Sequence, residues 1–303
     1  MEYFAQQLIN GLSVGATYAL IALGYTMVYG VLRLINFAHG EVYMVGGVTG
    51  YYLVHWGLDR GWPVWGVLVL AFAGAIVLCS LLGVAIEFLA YRRLRNQPRL
   101  VVLITAIGVS LLLQNVVLLK FVYGPTPKPF PYEVKAVLSA PLIESPVLLR
   151  RFDVLSLTLS VLVMAVLTFV ILRTRTGLAL RAASYRFDTA MLMGVNTDRT
   201  ISFTFMAGSA LAAVAGVLDG IQYNVEPLMG VLPGLKAFVA AVVGGIGSIP
   251  GALLGALVIG LTESLVKAYV SSAYSDAIVF GLLILILLVK PNGLLGRAGV
   301  EKV

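Results

Sequence analysis

The residues from Arg173 to Arg199 read RTRTGLALRAASYRFDTAMLMGVNTDR and interrupt a sequence that is otherwise mostly apolar. Five arginines and only two acids lie in this stretch. Some of its residues recur at steps of four and three, a stripe that predicts one helix with an apolar face: Leu178, Ala182, Tyr185, Thr189 and Leu192. Gly194 is expected to end the helix. A short basic helix between two apolar runs can lie on lipid, cap a helix bundle or contact a soluble partner.

Outside this stretch, the composition is that of an integral membrane protein. Of the 303 residues, 60% are hydrophobic and 12% charged, with a mean hydropathy of +0.98, whereas soluble domains carry about 25% charged residues. The apolar runs approach about 20 residues without alternation, which predicts helical spans. We interpret the net charge of +7 as basic loops beside the membrane and not as nucleic-acid binding. A single cysteine, Cys79, excludes an intrachain disulfide and a cysteine metal site.

The apolar runs predict an all-α fold, a polytopic membrane helix bundle of about 8–9 spans with a broken or re-entrant segment. The whole chain, 1–303, is expected to form one transmembrane domain, with residues 173–199 as its cytoplasmic loop. The predicted spans cover residues 6–29, 41–55, 64–90, 100–122, 154–172, 201–221 and 274–289, with a broken element at 235–265.

Basic residues predict which loops face the cytoplasm. Tyr91–Arg99 reads YRRLRNQPR, with four arginines and no acid, and is expected inside together with Arg173–Arg199 and the tail after Lys290. Gly124–Asp153 is expected outside, and its alternating prolines at 125, 127, 129 and 131 favour extended backbone. This arrangement gives about nine crossings with the N-terminus outside, although eight crossings remain open.

Two segments interrupt apolar runs. Val31–Gly47 carries several polar side chains, so it is expected either at the membrane surface or inside the bundle as irregular backbone surrounded by protein. The run from Gly244 to Gly251 is expected to break a span. Its glycines at 247 and 251 favour close helix packing, whereas for Gly244 and Gly245 packing and pathway lining both remain open. The two interruptions are predicted to lie near each other.

The sequence indicates no catalytic or metal site. It contains no G-x-x-x-x-G-K-[ST], H-E-x-x-H or G-x-S-x-G pattern, so neither ATP binding by a P-loop nor hydrolase chemistry is predicted. His39 and His55 are the only histidines, and two such groups do not make a metal site. The acids beside apolar runs are expected near span ends, and none is expected at the depth of a proton relay: Glu41, Glu87, Asp219 and Glu263.

Several motifs together resemble one family. Residues 35–41, INFAHGE, followed by Met44 and Gly46, resemble the N-terminal signature of the permeases of branched-chain amino acid ABC transporters, and residues 244–255, GGIGSIPGALLG, resemble their C-terminal signature. The opening residues 15–20 (GATYAL) and 24–29 (GYTMVY) are also similar. The resemblance runs from about residue 6 to residue 296 and is greatest to the first of the two permease subunits. Urea and short-amide permeases share the same signatures.

The resemblance implies a non-enzymatic permease of the bacterial inner membrane, forming half of a translocation pathway. Implied partners are a second homologous permease, two cytoplasmic ATPases that bind the ATP, a periplasmic substrate-binding protein and the lipid bilayer; no cofactor is implied in this chain. Residues matching the family's ATPase-coupling loop are Thr176, Gly177, Arg181, Ala182, Ala190, Gly194 and Val195. Residues implied at the pathway are Asn36, His39, Gly40, Glu41, Gly244, Gly245, Gly247 and Gly251.

Other functions remain open at this point. A urea or short-amide permease fits the same signatures. A secondary transporter driven by an ion gradient predicts an ionisable site at mid-membrane, and the sequence indicates no deep carboxylate. A membrane-embedded assembly protein predicts no loss of transport when Arg173–Arg199 is altered. Co-purification with an ATPase separates an ABC permease from the last two.

Overall fold

The computed structural model describes residues 2–95, 97–143 and 147–296, without the side chains at positions 99, 187 and 188. The helices are α1 Glu2–Leu32, α2 His39–Leu58, α3 Val64–Ile86, α4 Arg92–Leu94, α5 Arg99–Leu118, α6 Tyr132–Ser139, α7 Arg151–Arg173, α8 Arg175–Tyr185, α9 Phe187–Leu192, α10 Thr197–Gln222, α11 Val231–Gly244, α12 Ile249–Tyr269 and α13 Ser275–Val289. A π-helical turn, Glu87–Tyr91, joins α3 to α4, and a 3₁₀ turn, Ser272–Tyr274, precedes α13. The predicted tail beyond residue 296 lies outside the described residues.

The predicted all-α membrane bundle is confirmed. Seven helical segments of the described chain are long and apolar enough to cross a membrane, and α11 is a shorter apolar helix. α2 is a continuous helix of 20 residues that lies among these spanning helices, but its sequence also contains polar side chains. The broken span predicted for residues 235–265 is α11 followed by α12, and its first part begins slightly earlier than expected, at Val231.

The centre of the bundle is formed by helices that approach one another at glycines. A Cβ on Gly260 of α12 would overlap the backbone of Gly15 in α1, and a Cβ on Gly216 of α10 would overlap the Tyr43 carbonyl oxygen in α2. Small residues at such positions allow helix backbones to touch, which is how membrane helices associate without a hydrophobic driving force. By contrast, few residues of α5, α7 and α13 are buried, so these helices form the periphery.

α2 begins inside the bundle and not at its surface. A Cβ on Gly24, in the second half of α1, would overlap the His39 imidazole and approach the Gly208 carbonyl oxygen, near the middle of α10. Residues 33–38 therefore carry the chain from the end of α1 back into protein. Of the two locations predicted for this segment, the buried one is correct, because Asn36, His39 and Glu41 are each at most 3% exposed.

The start of α11 meets the start of α2. Gly230 and Gly234 both lie against Gly40, so closely that a Cβ on Gly230 would overlap the Gly40 carbonyl oxygen. The other end of α11 is followed by the predicted break, in which Gly245 and Gly247 adopt φ of +106° and +91°. Glycine reaches this left-handed region without the steric clash that a Cβ produces.

The segment expected outside the membrane contains no span, as predicted, but it is more ordered than its prolines indicate. It holds α6 and a small antiparallel pair, β1 Pro141–Ile143 and β2 Leu149–Arg150. Lys128 pairs with Val225 through two backbone hydrogen bonds, which attaches the segment to the end of α10. Burial raises the pKa of the Tyr123 hydroxyl, which keeps it a hydrogen-bond donor to the Val225 carbonyl at 2.7 Å.

The loop Arg173–Arg199 forms two helices, so the single helix predicted there is wrong. Arg186 adopts an extended conformation, with φ −148° and ψ 108°, and separates α8 from α9. The Thr174 hydroxyl accepts a hydrogen bond from the Gly177 amide and caps α8. The apolar spacing continues in the sequence across Arg186, and periodicity alone does not report a bend in the chain.

Candidate functional site

The segment Asn36–Glu41, called here the signature segment, is held by contacts from several helices. Asn36 Oδ1 accepts hydrogen bonds from the Ala38 amide at 3.1 Å and from the Tyr91 hydroxyl at 3.0 Å, which fixes the turn before α2. The His39 ring packs edge-on against Tyr25, with ring centroids 4.7 Å apart. Gly40 leaves room for the start of α11, as described above. These contacts make the segment a fixed, buried junction.

Glu41 is a buried carboxylate in the first turn of α2. Its Oε1 accepts hydrogen bonds from Gln114 Nε2 at 2.7 Å and from Ser110 Oγ at 3.1 Å. Both donors belong to α5 and lie in its second half, well inside the helix ends. The expectation that the acids near apolar runs all lie at span ends is therefore wrong for Glu41, since its hydrogen bonds reach the interior of a spanning helix.

Two other acids from the same expectation are buried as well, but each has basic partners. Glu87 forms salt bridges with Arg92, at 3.2 Å, and with Arg95. Glu263 forms salt bridges with Lys236, at 2.9 Å, and with Lys267, at 2.6 Å. Solvation at the lipid surface does not explain either side chain, because both are at most 3% exposed.

The four glycines of the break, Gly244, Gly245, Gly247 and Gly251, are placed at the end of α11 opposite the signature segment. Gly244 and Gly251 lie against each other, and a Cβ on Gly245 would overlap the backbone of Gly296. The signature segment meets the start of α11 at Gly40 and the middle of α11 where the Phe37 and Phe238 ring centroids lie 6.2 Å apart. The break follows the end of α11, about 20 Å from its start. Gly247 instead lies beside Gly30 of α1.

Residues at the start of α8 connect it to α7. Gly177 is buried where α7 and α8 meet, and a Cβ there would overlap the carbonyl oxygens of Val170 and Ile171. Arg181 donates a hydrogen bond to the Ile171 carbonyl oxygen at 2.6 Å and so satisfies an unpaired group at the end of α7. Thr176 is exposed beside them. Two of these three predicted residues thus position the loop.

The remaining predicted coupling residues lie in α8, in α9 and in the turn after α9. Ala182 is half-buried and Ala190 only 4% exposed, so the Ala190 side chain faces the body of the protein. Gly194 has φ +83°, which confirms the predicted left-handed helix end. The Val195 amide donates to the Ala190 carbonyl oxygen at 3.0 Å and closes that turn.

The exposed surface of the loop carries both its arginines and a set of large apolar side chains. Large side chains that stand out from α8, α9 and the following turn form what we call the coupling patch: Leu178, 61% exposed, Tyr185, 84%, Met191, 47%, Leu192, 87%, and Met193, 80%. Met191 and Met193 were not predicted, because they lie beside the stripe and not on it. Adaptable thioether side chains and a tyrosine suit a protein–protein contact.

The two basic segments that are predicted to face the cytoplasm, Tyr91–Arg99 and Arg173–Arg199, meet at one end of the bundle. Arg95, from the first segment, forms a 2.5 Å salt bridge with Asp198 of the coupling loop. An open cavity of about 740 Å³ lies between the end of α1, the turn holding Arg92 and Arg95, and the residues around Arg186. Their proximity agrees with the prediction that both segments lie on the same side of the membrane.

Sequence reasoning missed three residues that complete this region. Tyr91 was taken as part of a basic loop, although its hydroxyl holds Asn36. Ser110 and Gln114 were taken as part of an apolar span. Their spacing of four residues places them on one helical face, and a polar pair on one face of a span was a signal that they turn toward protein.

Known proteins similar in sequence to this chain are permease components of transport systems. The sequence profile described as "Branched-chain amino acid transport system / permease component" matches residues 7–287. The chain is 48% identical to the "High-affinity branched-chain amino acid transport system permease protein LivH" of Escherichia coli (strain K12), over 99% of this chain and 98% of that protein. It is 46% identical to the corresponding permease protein BraD of Pseudomonas aeruginosa, again over 99% and 98%. The chain belongs to the family of permease components of branched-chain amino acid transport systems.

Proposed function

We propose that this chain is one permease subunit of an ABC importer in the bacterial inner membrane and forms half of the translocation pathway for branched-chain amino acids. A periplasmic binding protein delivers the amino acid, and a second homologous permease completes the pathway. Two cytoplasmic ATPases bind the ATP, while this chain carries no cofactor and catalyses no reaction. The observation that supports this most is the 48% identity, over nearly the whole of both chains, to a permease of such a transport system.

The coupling patch is the proposed docking surface for an ATPase. Its exposed residues lie on two short helices, so an apolar groove on the ATPase can receive them in the helix-in-groove mode. Arg181 and Gly177 attach these helices to the end of α7, and Arg95 attaches Asp198 to the turn after α3. Movement of the docked ATPase would therefore reach the spanning helices through fixed contacts, as alternating access between two states requires.

The signature segment is proposed to border the translocation pathway. Irregular backbone at membrane depth persists only where it is buried in protein or lines a cavity, and residues 33–38 enter the bundle in this way. Gly244, Gly245, Gly247 and Gly251 are proposed to border the same pathway at the basic end of the bundle, near Gly30. This end is assigned to the cytoplasm because it holds the basic segments, and the whole chain is proposed to act as one domain.

A matched pair of tyrosines tests the docking surface. Tyr185, in the coupling patch, is 84% exposed, and Tyr132, at the opposite end of the bundle in α6, is 81% exposed. Tyr185→Glu places a charge in an apolar contact without touching a span. It should reach the membrane in normal amount, lose co-purification of the ATPases by about ten-fold or more and lose ATP-driven leucine uptake. Tyr132→Glu should retain the ATPases.

Two results would contradict the proposal in different ways. Full co-purification of the ATPases and full leucine uptake by Tyr185→Glu would show that the coupling patch does not dock them. Uptake of urea or a short amide by the unaltered complex, without uptake of leucine, would show that the substrate assignment is wrong while the ABC permease remains.

A further inference from the structure

Glu41 differs from the other buried acids of the described chain in having no basic partner. The described acids that are buried are Glu41, Glu87, Asp153 and Glu263. Glu87, Asp153 and Glu263 each form salt bridges with arginine or lysine. Glu41, 2% exposed, forms none with any described basic side chain and accepts hydrogen bonds only from neutral groups. Asp219 of α10 also forms no salt bridge with a described basic side chain, but it is only half-buried. Among the described acids that are at most 3% exposed, Glu41 alone has no basic partner.

The second carboxylate oxygen of Glu41 further distinguishes this residue from the other buried acids. In the part of the chain that the structure describes, Glu41 Oε2 has no hydrogen-bond partner, although it is fully buried. A buried carboxylate is stable when it is paired with a cation and its oxygens are hydrogen-bonded. Protonation does not complete the site, because the resulting hydroxyl would still need an acceptor. The arrangement is suited to a cation that a ligand supplies and not a side chain of this protein.

The acceptors around Glu41 match an alkylammonium group. Such a group has three N–H donors and no acceptor. Glu41 Oε2, the Ser110 hydroxyl oxygen and the Gln114 amide oxygen can each accept one hydrogen bond, since Ser110 and Gln114 use donor hydrogens, and not all of their acceptor capacity, in binding Glu41 Oε1. The negative charge favours an ammonium over a neutral amide or urea nitrogen.

The position of α5 gives a route to this site. Ser110 and Gln114 are only half-buried, and most residues of α5 around them face outward. A Cβ on Gly108, in the same part of α5, would meet no described atom within 4 Å. Glu41 is therefore separated from the outer surface of the bundle by a single, loosely covered helix. A ligand held between this chain and a second permease would pass beside that helix.

We propose that Glu41, Ser110 and Gln114 form the site at which the α-ammonium group of the transported amino acid binds within the membrane. This inference rests on the proposed function and adds the atoms that recognise the substrate. Binding sites of transporters lie near the bilayer midplane, and an ionisable residue there marks the substrate path. The site would select substrates that carry a cationic nitrogen, which urea and short amides lack.

Protection of a cysteine tests the site directly. In the complete complex carrying Cys79→Ala and Ser110→Cys, alkylation of the new thiol should be slowed by millimolar leucine and by leucinol, which keeps the ammonium and lacks the carboxylate. 4-Methylpentanoate, which keeps the carboxylate and lacks the ammonium, should not slow it. Equal protection by 4-methylpentanoate, or no protection by leucine, would overturn the proposal.

Uptake provides the second measurement. Glu41→Gln keeps the shape of the side chain and removes its charge, so ATP-driven leucine uptake should fall about ten-fold or more, since a hydrogen bond to a charged group contributes at least that factor. Glu226→Gln, the same change on an exposed loop residue, should leave uptake unchanged. Co-purification of all subunits checks assembly. If Glu41→Gln does not assemble, Gln114→Leu on the peripheral helix should show the fall.

The outcomes separate this inference from the proposed function. No leucine uptake by the unaltered complex contradicts the proposed function itself. Leucine uptake by the unaltered complex, with equal uptake by Glu41→Gln and Gln114→Leu, contradicts only the ammonium site.

Discussion

Two buried carboxylates of this chain, Glu263 and Glu41, have opposite surroundings. Glu263 accepts hydrogen bonds from Lys236 at 2.9 Å, Lys267 at 2.6 Å and the Tyr18 hydroxyl at 2.8 Å. Among the described side chains, Glu41 is bound by two neutral groups of α5 and by no cation. The first carboxylate is neutralised within the chain, whereas no described residue neutralises the second.

The packing around the two acids differs in the same way. Near Glu263, α1 and α12 touch at glycines, because a Cβ on Gly11 would come against Leu261 and one on Gly260 would overlap Gly15. Near Glu41, α2 touches α11 closely at Gly40, but on the side of the Glu41 hydrogen bonds lies α5, few of whose residues are buried. The comparison teaches that the same residue type stabilises a closely packed helix pair in one place and is available to a ligand in another. Which role it takes depends on the cations and the packing around it.

The largest expected effect distinguishes the two carboxylates by stability. Glu263→Gln removes the ion pairs with Lys236 and Lys267 and leaves Lys236, whose side chain is 7% exposed, paired only with the half-exposed Asp276 at 2.7 Å. It should lower the free energy of unfolding by about 3 kcal/mol. Glu41→Gln removes a buried charge that has no counter-ion in the described chain, so it should not lower the free energy of unfolding. Denaturant unfolding of the purified permease in micelles measures both.

The decisive quantity is the difference in the free energy of unfolding between Glu263→Gln and Glu41→Gln. A similar loss in both would mean that Glu41 is a structural ion pair, formed with a group that the described residues do not include. A loss in neither would mean that the Lys236–Glu263 pair contributes little and that its desolvation offsets its attraction.

The next effect tests the packing side of the comparison with two glycines. Gly216→Ala introduces a methyl group where the Tyr43 carbonyl oxygen lies, so α2 and α10 must separate, and the free energy of unfolding should fall by about 2 kcal/mol. Gly108→Ala, on α5, adds a methyl group that meets no described atom within 4 Å, and its intrinsic helix preference should make it neutral or stabilising. Thermal unfolding of the two variants in the same micelles compares them. Equal losses would show that α5 is packed as closely as the centre.

The smallest expected effect concerns the coupling loop, which lies apart from both carboxylates. Gly194 and Gly61 have similar left-handed conformations, with φ +83° and +74°, and a Cβ on either meets no described atom within 4 Å. Replacing either by alanine should cost about 1 kcal/mol of strain. Only Gly194→Ala, at the end of α9, should also reduce ATP hydrolysis stimulated by loaded binding protein. Equal stimulation of ATP hydrolysis in both variants would show that Gly194 takes no part in coupling to the ATPase.

Patterns of many residues were predicted correctly from the sequence. The apolar runs gave the spanning helices, because about 20 consecutive apolar residues have few alternatives to a membrane span. The break in residues 235–265 was predicted because adjacent glycines and a proline disfavour a continuous helix. Gly194 was predicted to end α9, and it has the conformation that few residues other than glycine adopt.

Single-residue expectations were less reliable where they depended on distant contacts. Ala190 was expected beside a docking surface, but its side chain is 4% exposed, since the bend at Arg186 turns α9 relative to α8. The acids were expected at span ends, whereas Glu41 hydrogen-bonds to residues far from it in sequence. The polar pair Ser110 and Gln114 signals a contact with protein but does not name Glu41 as the partner, because both outcomes depend on how separate helices are arranged.

By itself, the sequence determined that this chain is a multi-pass helical membrane protein and which signatures it carries, since hydrophobicity and motif content are properties of neighbouring residues. Only the tertiary structure decided which buried acids are paired. Lys236 and Glu263 come from different helices, and so do Glu41 and Gln114. A charge in a low-dielectric interior is stabilised by whichever groups lie within a few ångströms, and in a folded chain these groups are brought together by helix packing and not by sequence distance.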